Sequence, residues 1–166
     1  RKVLGPADTV VVLTILRDDM EPFDVEVTRG LIIMYSVRGE MLENNIGYIE
    51  LNTFADDTHE ELLTILDDLL SQGAEGLILD LRNNGGGYLD TSVEVTSEFI
   101  SEGVVLYQEY GDGSRQVHDI LEGGIATDIP MVLLVNQATA SASEIVTGAF
   151  KAYDRAPVVG MLTFGK

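Results

Sequence analysis

The sequence contains no cysteine, which excludes disulfides, thiol catalysis and thiolate-bound metals. It leaves the compartment open, because exported proteins can also lack cysteine. Basic residues are scarce: 10 Lys and Arg stand against 28 Asp and Glu, for a net charge of −18. With no basic stripe to neutralise phosphates, the composition argues against nucleic acid as a partner. The acidity reads instead as self-repulsion that favours solubility. There are only two histidines, His59 and His118, far apart and outside any HxxxH or HxxE spacing, which argues against a metal site. Long apolar runs are also missing. The longest, "TVVVLTIL", is strand-sized, well short of the ~18–20 residues needed to cross a bilayer. Residue 1 is not methionine, so a removed leader or an upstream domain would be invisible here.

At 166 residues and 45% apolar content, the chain predicts one globular domain with a sizeable core and a small appendage. "TVVVLTILRDDMEPFDVEVTRG" reads as two strands joined by a turn at Asp18, Asp19 and Pro22. A lone hairpin is marginal in water. Residues 1–30 therefore read as the tail of a truncated module, and residues 31–166 as a second unit.

In that second unit "LIIMYSV" (31–37) and "IGYIEL" (46–51) are predicted strands. A helix comes next, with Thr58 and Glu61 as a capping box, Leu62, Ile65, Leu66, Leu69 and Leu70 as its apolar stripe, and Gly73 as its stop. "GLILDL" (76–81) and "PMVLLVN" (130–136) are continuous apolar runs, as in central strands covered on both faces. A helix near 90–101, a hairpin around Gly111–Gly113, a helix from about Ala140 and a strand at "APVVG" complete the pattern. Strand–helix alternation gives an α/β class with the sheet buried between helices.

Two stretches after central strands interrupt the apolar pattern. In "DLRNNGGGYLD", three glycines let backbone amides approach a ligand, as an anion nest or oxyanion hole would require. A plain tight turn is the alternative. In "VNQATASASEIV", Ser141 and Ser143 lie at a helix start, where free amides and the dipole stabilise developing negative charge. Their ordinary fate is helix capping, and a nucleophile would need a base. His59, in the first turn of a helix, reads as solvated. His118, in the hairpin, reads as exposed. Lys166 comes after the apolar "VVGMLTF", and burial there would depress its pKa and make a neutral amine available as the base of a Ser-Lys dyad. "GMLTFGK" also resembles the opening of a phosphate loop, but Met161, Leu162 and Phe164 are bulky for a backbone cradle.

"GLILDLRNNGGGYLD" together with "PMVLLVNQATASASEIVTGAFKAYDRAPVVGMLTFGK" resembles the C-terminal processing peptidases, or tail-specific proteases. "GPADTVVVLTILRD" is similar to the end of the PDZ domain that they carry, and "ENNIGYIELNTF" to their first core strand. The resemblance implies a ClpP/crotonase-like core, incomplete at its C terminus, after a C-terminal remnant of a PDZ domain. It implies Ser141 as nucleophile, with Ser143 as fallback, and Lys166 as general base. The backbone amides of Ala142 and Gly87 would form the oxyanion hole, with Gly86 as second choice. The family more often has proline where this chain has Gly85. The aspartate some members carry falls on Ala152, so the displaced Asp154 takes no role. A glutamine about one turn beyond the lysine, used by others, would fall after residue 166.

The implied reaction is endopeptidase cleavage near protein C termini through an acyl-enzyme, with polypeptide partners bearing apolar tails. It needs no cofactor, metal or nucleic acid, and the resemblance allows a homo-oligomer. It also implies export, to the periplasm or the outer face of the cytoplasmic membrane. Residues 1–166 alone are expected to be poorly active, because burial of the Lys166 amine would require residues beyond position 166. The rival readings are a degenerate scaffold that binds peptides without cutting and a coenzyme A-dependent acyl-thioester enzyme.

Overall fold

The computed structural model describes residues 3–17, 20–32 and 35–166. The chain divides into two units, Arg1–Met34 and Tyr35–Lys166. In the first, β1 (Val10–Ile15) pairs antiparallel with β2 (Phe23–Thr28), in register from Val10 opposite Thr28 to Ile15 opposite Phe23. Arg29 ties the hairpin's open end to its approach, donating to the Val3 carbonyl, the Thr9 hydroxyl and the Val10 carbonyl. Of the predicted turn, Asp18 and Asp19 lie outside the described residues.

The second unit is built on a five-stranded sheet. Its strands are β3 (Val37–Leu42), β4 (Ile46–Leu51), β5 (Gly76–Asp80), β8 (Met131–Val135) and β9 (Val158–Gly160), in that spatial order. The β3–β4 pair is antiparallel and the other pairings are parallel. Strands β6 (Val104–Glu109) and β7 (Arg115–Asp119) form the predicted separate hairpin. The helices are α1 (Thr58–Ser71), α2 (Leu89–Ser97) and α3 (Ala142–Ala152).

The strand predicted over 31–37 is not formed. Leu31, Ile32 and Tyr35 have no regular structure, Ile33 and Met34 lie outside the described residues, and pairing starts at Val37. The physical reason is Glu61, whose carboxylate accepts the Ser36 and Val37 amides at 2.8 and 3.0 Å and so fixes the strand's start against α1. The same contact removes Glu61 from the predicted capping box. Asp57 is the N-cap, while Thr58 is buried and bonds the Ala55 amide and the Thr53 carbonyl. Between β3 and β4 the chain reverses through Asn44 and Asn45, both at positive φ, a conformation asparagine tolerates.

The crossovers β4–α1–β5, β5–α2–β8 and β8–α3–β9 all step the same way across the sheet. Parallel crossovers are right-handed, so all three helices fall on one face. Exposure agrees: Ile49, Leu51, Leu77, Leu79 and Leu133 are 0–2% exposed, whereas Tyr48, Glu50, Ile78, Val132 and Leu134 are half-buried. The expectation of a sheet covered on both faces is therefore corrected: among the described residues only one face carries helices. The Phe99 and Phe150 rings meet edge to face at 5.7 Å, joining the segment after α2 to α3.

Candidate active site

The segments after β5, β8 and β9 leave the carboxyl ends of neighbouring parallel strands, where open α/β sheets place their ligand sites. The first segment, Leu81–Tyr88, holds the three glycines. The Phe54 amide bonds the Gly86 carbonyl at 3.1 Å and the Tyr88 amide bonds the Phe54 carbonyl at 2.8 Å, which lays the loop beside the end of β4. Gly86 and Gly87 both have positive φ, 100° and 153°. A Cβ at Gly86 would lie 2.8 Å from Ser141 Cβ and 2.9 Å from the Ala142 nitrogen, and one at Gly87 would collide with the Phe54 carbonyl. Only glycine allows the loop to lie this close to the start of α3.

Ser141 stands at that start, as N-cap of α3, with φ 57° and ψ −119°. This is a strained backbone for a non-glycine residue. It resembles the strand-to-helix elbow that presents a nucleophilic serine in α/β-hydrolases. Ser143 behaves differently: it is fully buried and donates its hydroxyl to the Asn84 carbonyl at 3.1 Å. The two oxyanion candidates on the loop also separate. The buried Gly86 amide is already donated to Asn84 Oδ1 at 2.8 Å, whereas Gly87 is exposed and its amide has no partner among the described residues. Gly86, the second choice, thus has its amide committed to Asn84. The Ala142 amide, in the first turn of α3, is likewise without a partner among the described residues.

Lys166 reaches the same place by an unpredicted route. Gly160, at φ 141°, packs against the Val135 carbonyl as β9 ends, and the Phe164 amide then bonds the Thr139 carbonyl at 2.9 Å. The Lys166 amide donates to Glu144 Oε2 at 3.0 Å, the oxygen that also accepts the Ser141 amide at 2.9 Å. Glu144 Oε1 accepts the Thr163 hydroxyl at 2.8 Å and the Gly165 amide at 2.7 Å. Burial pushes this carboxyl's pKa up, but the bonds from Lys166, Thr163, Gly165 and Ser141 outweigh it and hold the pKa at about 2. The apolar pocket predicted around Lys166 is absent among the described residues. Lys166, Met161, Leu162 and Phe164 are exposed, because the chain leaves the sheet at Gly160 and does not continue as a strand. A phosphate loop is also disfavoured, since the Gly165 and Lys166 amides it would use are taken by a carboxylate.

The remaining candidates lie elsewhere. His59 is half-buried and paired: its Nε2 lies 2.7 Å from buried Glu98. His118 is half-buried and bonds Gln108 at 3.1 Å. Ala152 ends α3, and Asp154 lies beyond it, exposed, at φ 51°. Residues not singled out from the sequence also support the site. Glu144 was signalled by the Ser-x-x-Glu spacing of residues 141–144. Asp80, at the end of β5, accepts bonds from Tyr48 and Arg82. Burial would raise its pKa, but the Arg82 contacts lead a set of bonds that keep it below the usual carboxylate value.

An α/β sheet with a strained serine at a helix start and a glycine loop packed on it defines the class, that of a hydrolase-like site at strand ends. The chain belongs to peptidase family S41, whose model matches residues 45–166. It is 39% identical to the carboxyl-terminal-processing protease of Synechocystis sp., over 99% of this chain and 40% of that protein. It is 37% identical to the carboxy-terminal processing protease CtpA of Bacillus subtilis, over 99% of this chain and 35% of that protein. Among solved structures, the photosystem II D1 C-terminal processing protease aligns with a TM-score of 0.74 and 29% identity, over 98% of this chain and 46% of that one. The chain thus spans less than half the length of these relatives.

Proposed function

We propose that this chain carries the catalytic serine and lysine of a C-terminal processing endopeptidase. The observation that supports the reading is the Glu144 oxygen shared by the main-chain amides of Ser141 and Lys166, which ties the two residues' backbones to one carboxylate. In the proposed reaction the neutral Lys166 amine takes the Ser141 hydroxyl proton as Oγ attacks a peptide carbonyl. The oxyanion accepts hydrogen bonds from the Ala142 and Gly87 amides. The tetrahedral adduct collapses with cleavage of the C–N bond, and the lysine returns the proton to the leaving amine. Water, deprotonated by the same lysine, then hydrolyses the Ser141 ester. The lysine must be desolvated for this cycle, so the full-length protein or bound substrate is expected to cover the exposed Lys166 side chain.

Residues 1–30 are proposed to be the end of a PDZ domain, and residues 31–166 part of a ClpP/crotonase-like core. Polypeptides with apolar C-terminal tails are the proposed substrates, and export is the proposed location. A fluorophosphonate probe on the full-length protein tests the reading. Labelling that vanishes in Ser141→Ala, with cleavage lost in Lys166→Met, is the expected result. Unchanged labelling in Ser141→Ala would overturn it.

A further inference from the structure

Three buried polar side chains that the proposed reaction leaves without a role lie between the glycine loop and α3. Asn84, Thr139 and Ser143 are all 0% exposed. Asn84 Nδ2 donates to the Leu51 carbonyl at 2.7 Å, and its Oδ1 accepts the Gly86 amide at 2.8 Å. Its carbonyl accepts the Ala140 amide at 3.0 Å and the Ser143 hydroxyl at 3.1 Å. Thr139 braces the same junction, donating to the Leu81 carbonyl at 2.8 Å. Asn84 therefore contacts the end of β4, its own loop, and residues on both sides of Ser141.

Buried polar groups are costly unless each bond is made, and a plain glycine turn requires none of these. A run of three glycines has no steric preference to select one amide direction. The Phe54 carbonyl, next to the loop, is already occupied by the Tyr88 amide. Two anchors make the selection: Asn84 Oδ1 draws the Gly86 amide inward, and the Phe54 amide holds the Gly86 carbonyl at 3.1 Å, which turns the Gly87 N–H of the same planar peptide the opposite way.

We infer that Asn84 is the positioning residue of the oxyanion site. Its side chain pins the Gly86 N–H inward and so seats Gly86 where Phe54 can hold its carbonyl and leave the Gly87 N–H outward, and its backbone carbonyl holds residues 140 and 143 around Ser141. The inference rests on the reading of Ser141 as an acyl-transfer nucleophile.

The test uses the full-length protein, a quenched peptide substrate, and a peptide boronate as tetrahedral analogue. Asn84→Ala is expected to lower kcat by ~10–100-fold, since a misplacement of about 1 Å can cost up to ~100-fold, while KM changes less than about threefold. Boronate affinity should fall in parallel with kcat. Asn84→Asp provides a signature that a purely structural role would not. Its protonated carboxyl can donate to Leu51 and accept from Gly86 as the amide does, whereas its ionised form loses the donor. The kcat ratio of Asn84→Asp to the unaltered protein should therefore rise as pH falls, at pH values where melting curves show both folded. Ser143→Ala, which removes one contact to the Asn84 carbonyl, should lower kcat less than Asn84→Ala. If Asn84→Ala does not fold, the other two variants decide. A folded Asn84→Ala with unchanged kcat and boronate affinity, or a flat Asn84→Asp ratio, overturns the inference. The two readings fail differently: an unaltered protein that the fluorophosphonate does not label at Ser141 defeats the acyl-transfer reading. Normal labelling with insensitivity at Asn84 defeats only this one.

Discussion

Replacing Glu144 by glutamine changes almost no volume, yet it should release the segment that carries Lys166. Four donors converge on the carboxylate: the amides of Ser141, Gly165 and Lys166 and the hydroxyl of Thr163. Glutamine keeps one oxygen for two of them and turns an NH2 group toward the other two. Hydrogen bonds to charged groups contribute ~1.5–3 kcal/mol each, and water screens those that are partly exposed. Losing two therefore costs about 2–4 kcal/mol. The depressed pKa gives a second route. A fall from 4.5 to about 2 corresponds to about 3 kcal/mol, reduced to about 2 by solvent screening. The two routes agree, and a loss of about 2 kcal/mol in holding Lys166 beside Ser141 is roughly 30-fold in rate. Peptide cleavage by full-length Glu144→Gln at pH 7 should show this drop in kcat/KM with the fold retained by circular dichroism. A kcat/KM within threefold of the unaltered protein would refute the reasoning.

The same carboxyl predicts an acid limit. Its folded pKa is depressed, so its contribution is complete above about pH 5 and is lost as pH falls from 4.5 toward 2. Hydrogen exchange at the Gly165 and Lys166 amides should accelerate across that window. Gly87→Ala places a methyl against the Phe54 carbonyl at positive φ, and should abolish labelling of Ser141 while costing ~1–3 kcal/mol in denaturant unfolding. Gly85, by contrast, faces open space and its amide has no bond among the described residues. Gly85→Pro removes no hydrogen bond among the described residues and should keep cleavage within about threefold of the unaltered protein. Arg155 donates to the carbonyls of Phe99, Ala126 and Ile129 at 2.6–2.8 Å. Arg155→Ala should cost ~2–4 kcal/mol, as carbonyls lose a charged donor, and Arg155→Lys should restore less than half because it lacks the planar fork.

Much of this arrangement was legible in the sequence. The apolar runs 76–81 and 130–136 marked the two strands whose ends carry the site, and the α1 stripe marked its buried face through Leu62, Leu66 and Leu69. The illegible parts are set by tertiary contacts. Nothing local to Glu61 reveals that its carboxylate serves β3 and not its own helix start. Apolar content alone cannot separate a strand covered on one face from one covered on two. That distinction came from strand order, which a sequence pattern does not carry. At the site, glycines and serines were visible, but the choice of Gly87 over Gly86 depends on a bond from the Gly86 amide to Asn84. The expected burial of Lys166 failed because "MLTF" reads as strand by composition, while its amides bond the Val135 carbonyl at the end of β8 and the Thr139 carbonyl in the loop before α3.

The left-handed backbone at Ser141 has a consequence for how the protein tolerates change. A serine held there makes the chain less durable than it would otherwise be, since glycine occupies that region at little cost. Ser141→Gly should therefore melt at a higher temperature than its parent and, on the proposed reading of the site, lose its nucleophile. Selection for robustness alone would erase the hydroxyl, and its presence records a demand that thermal endurance does not supply.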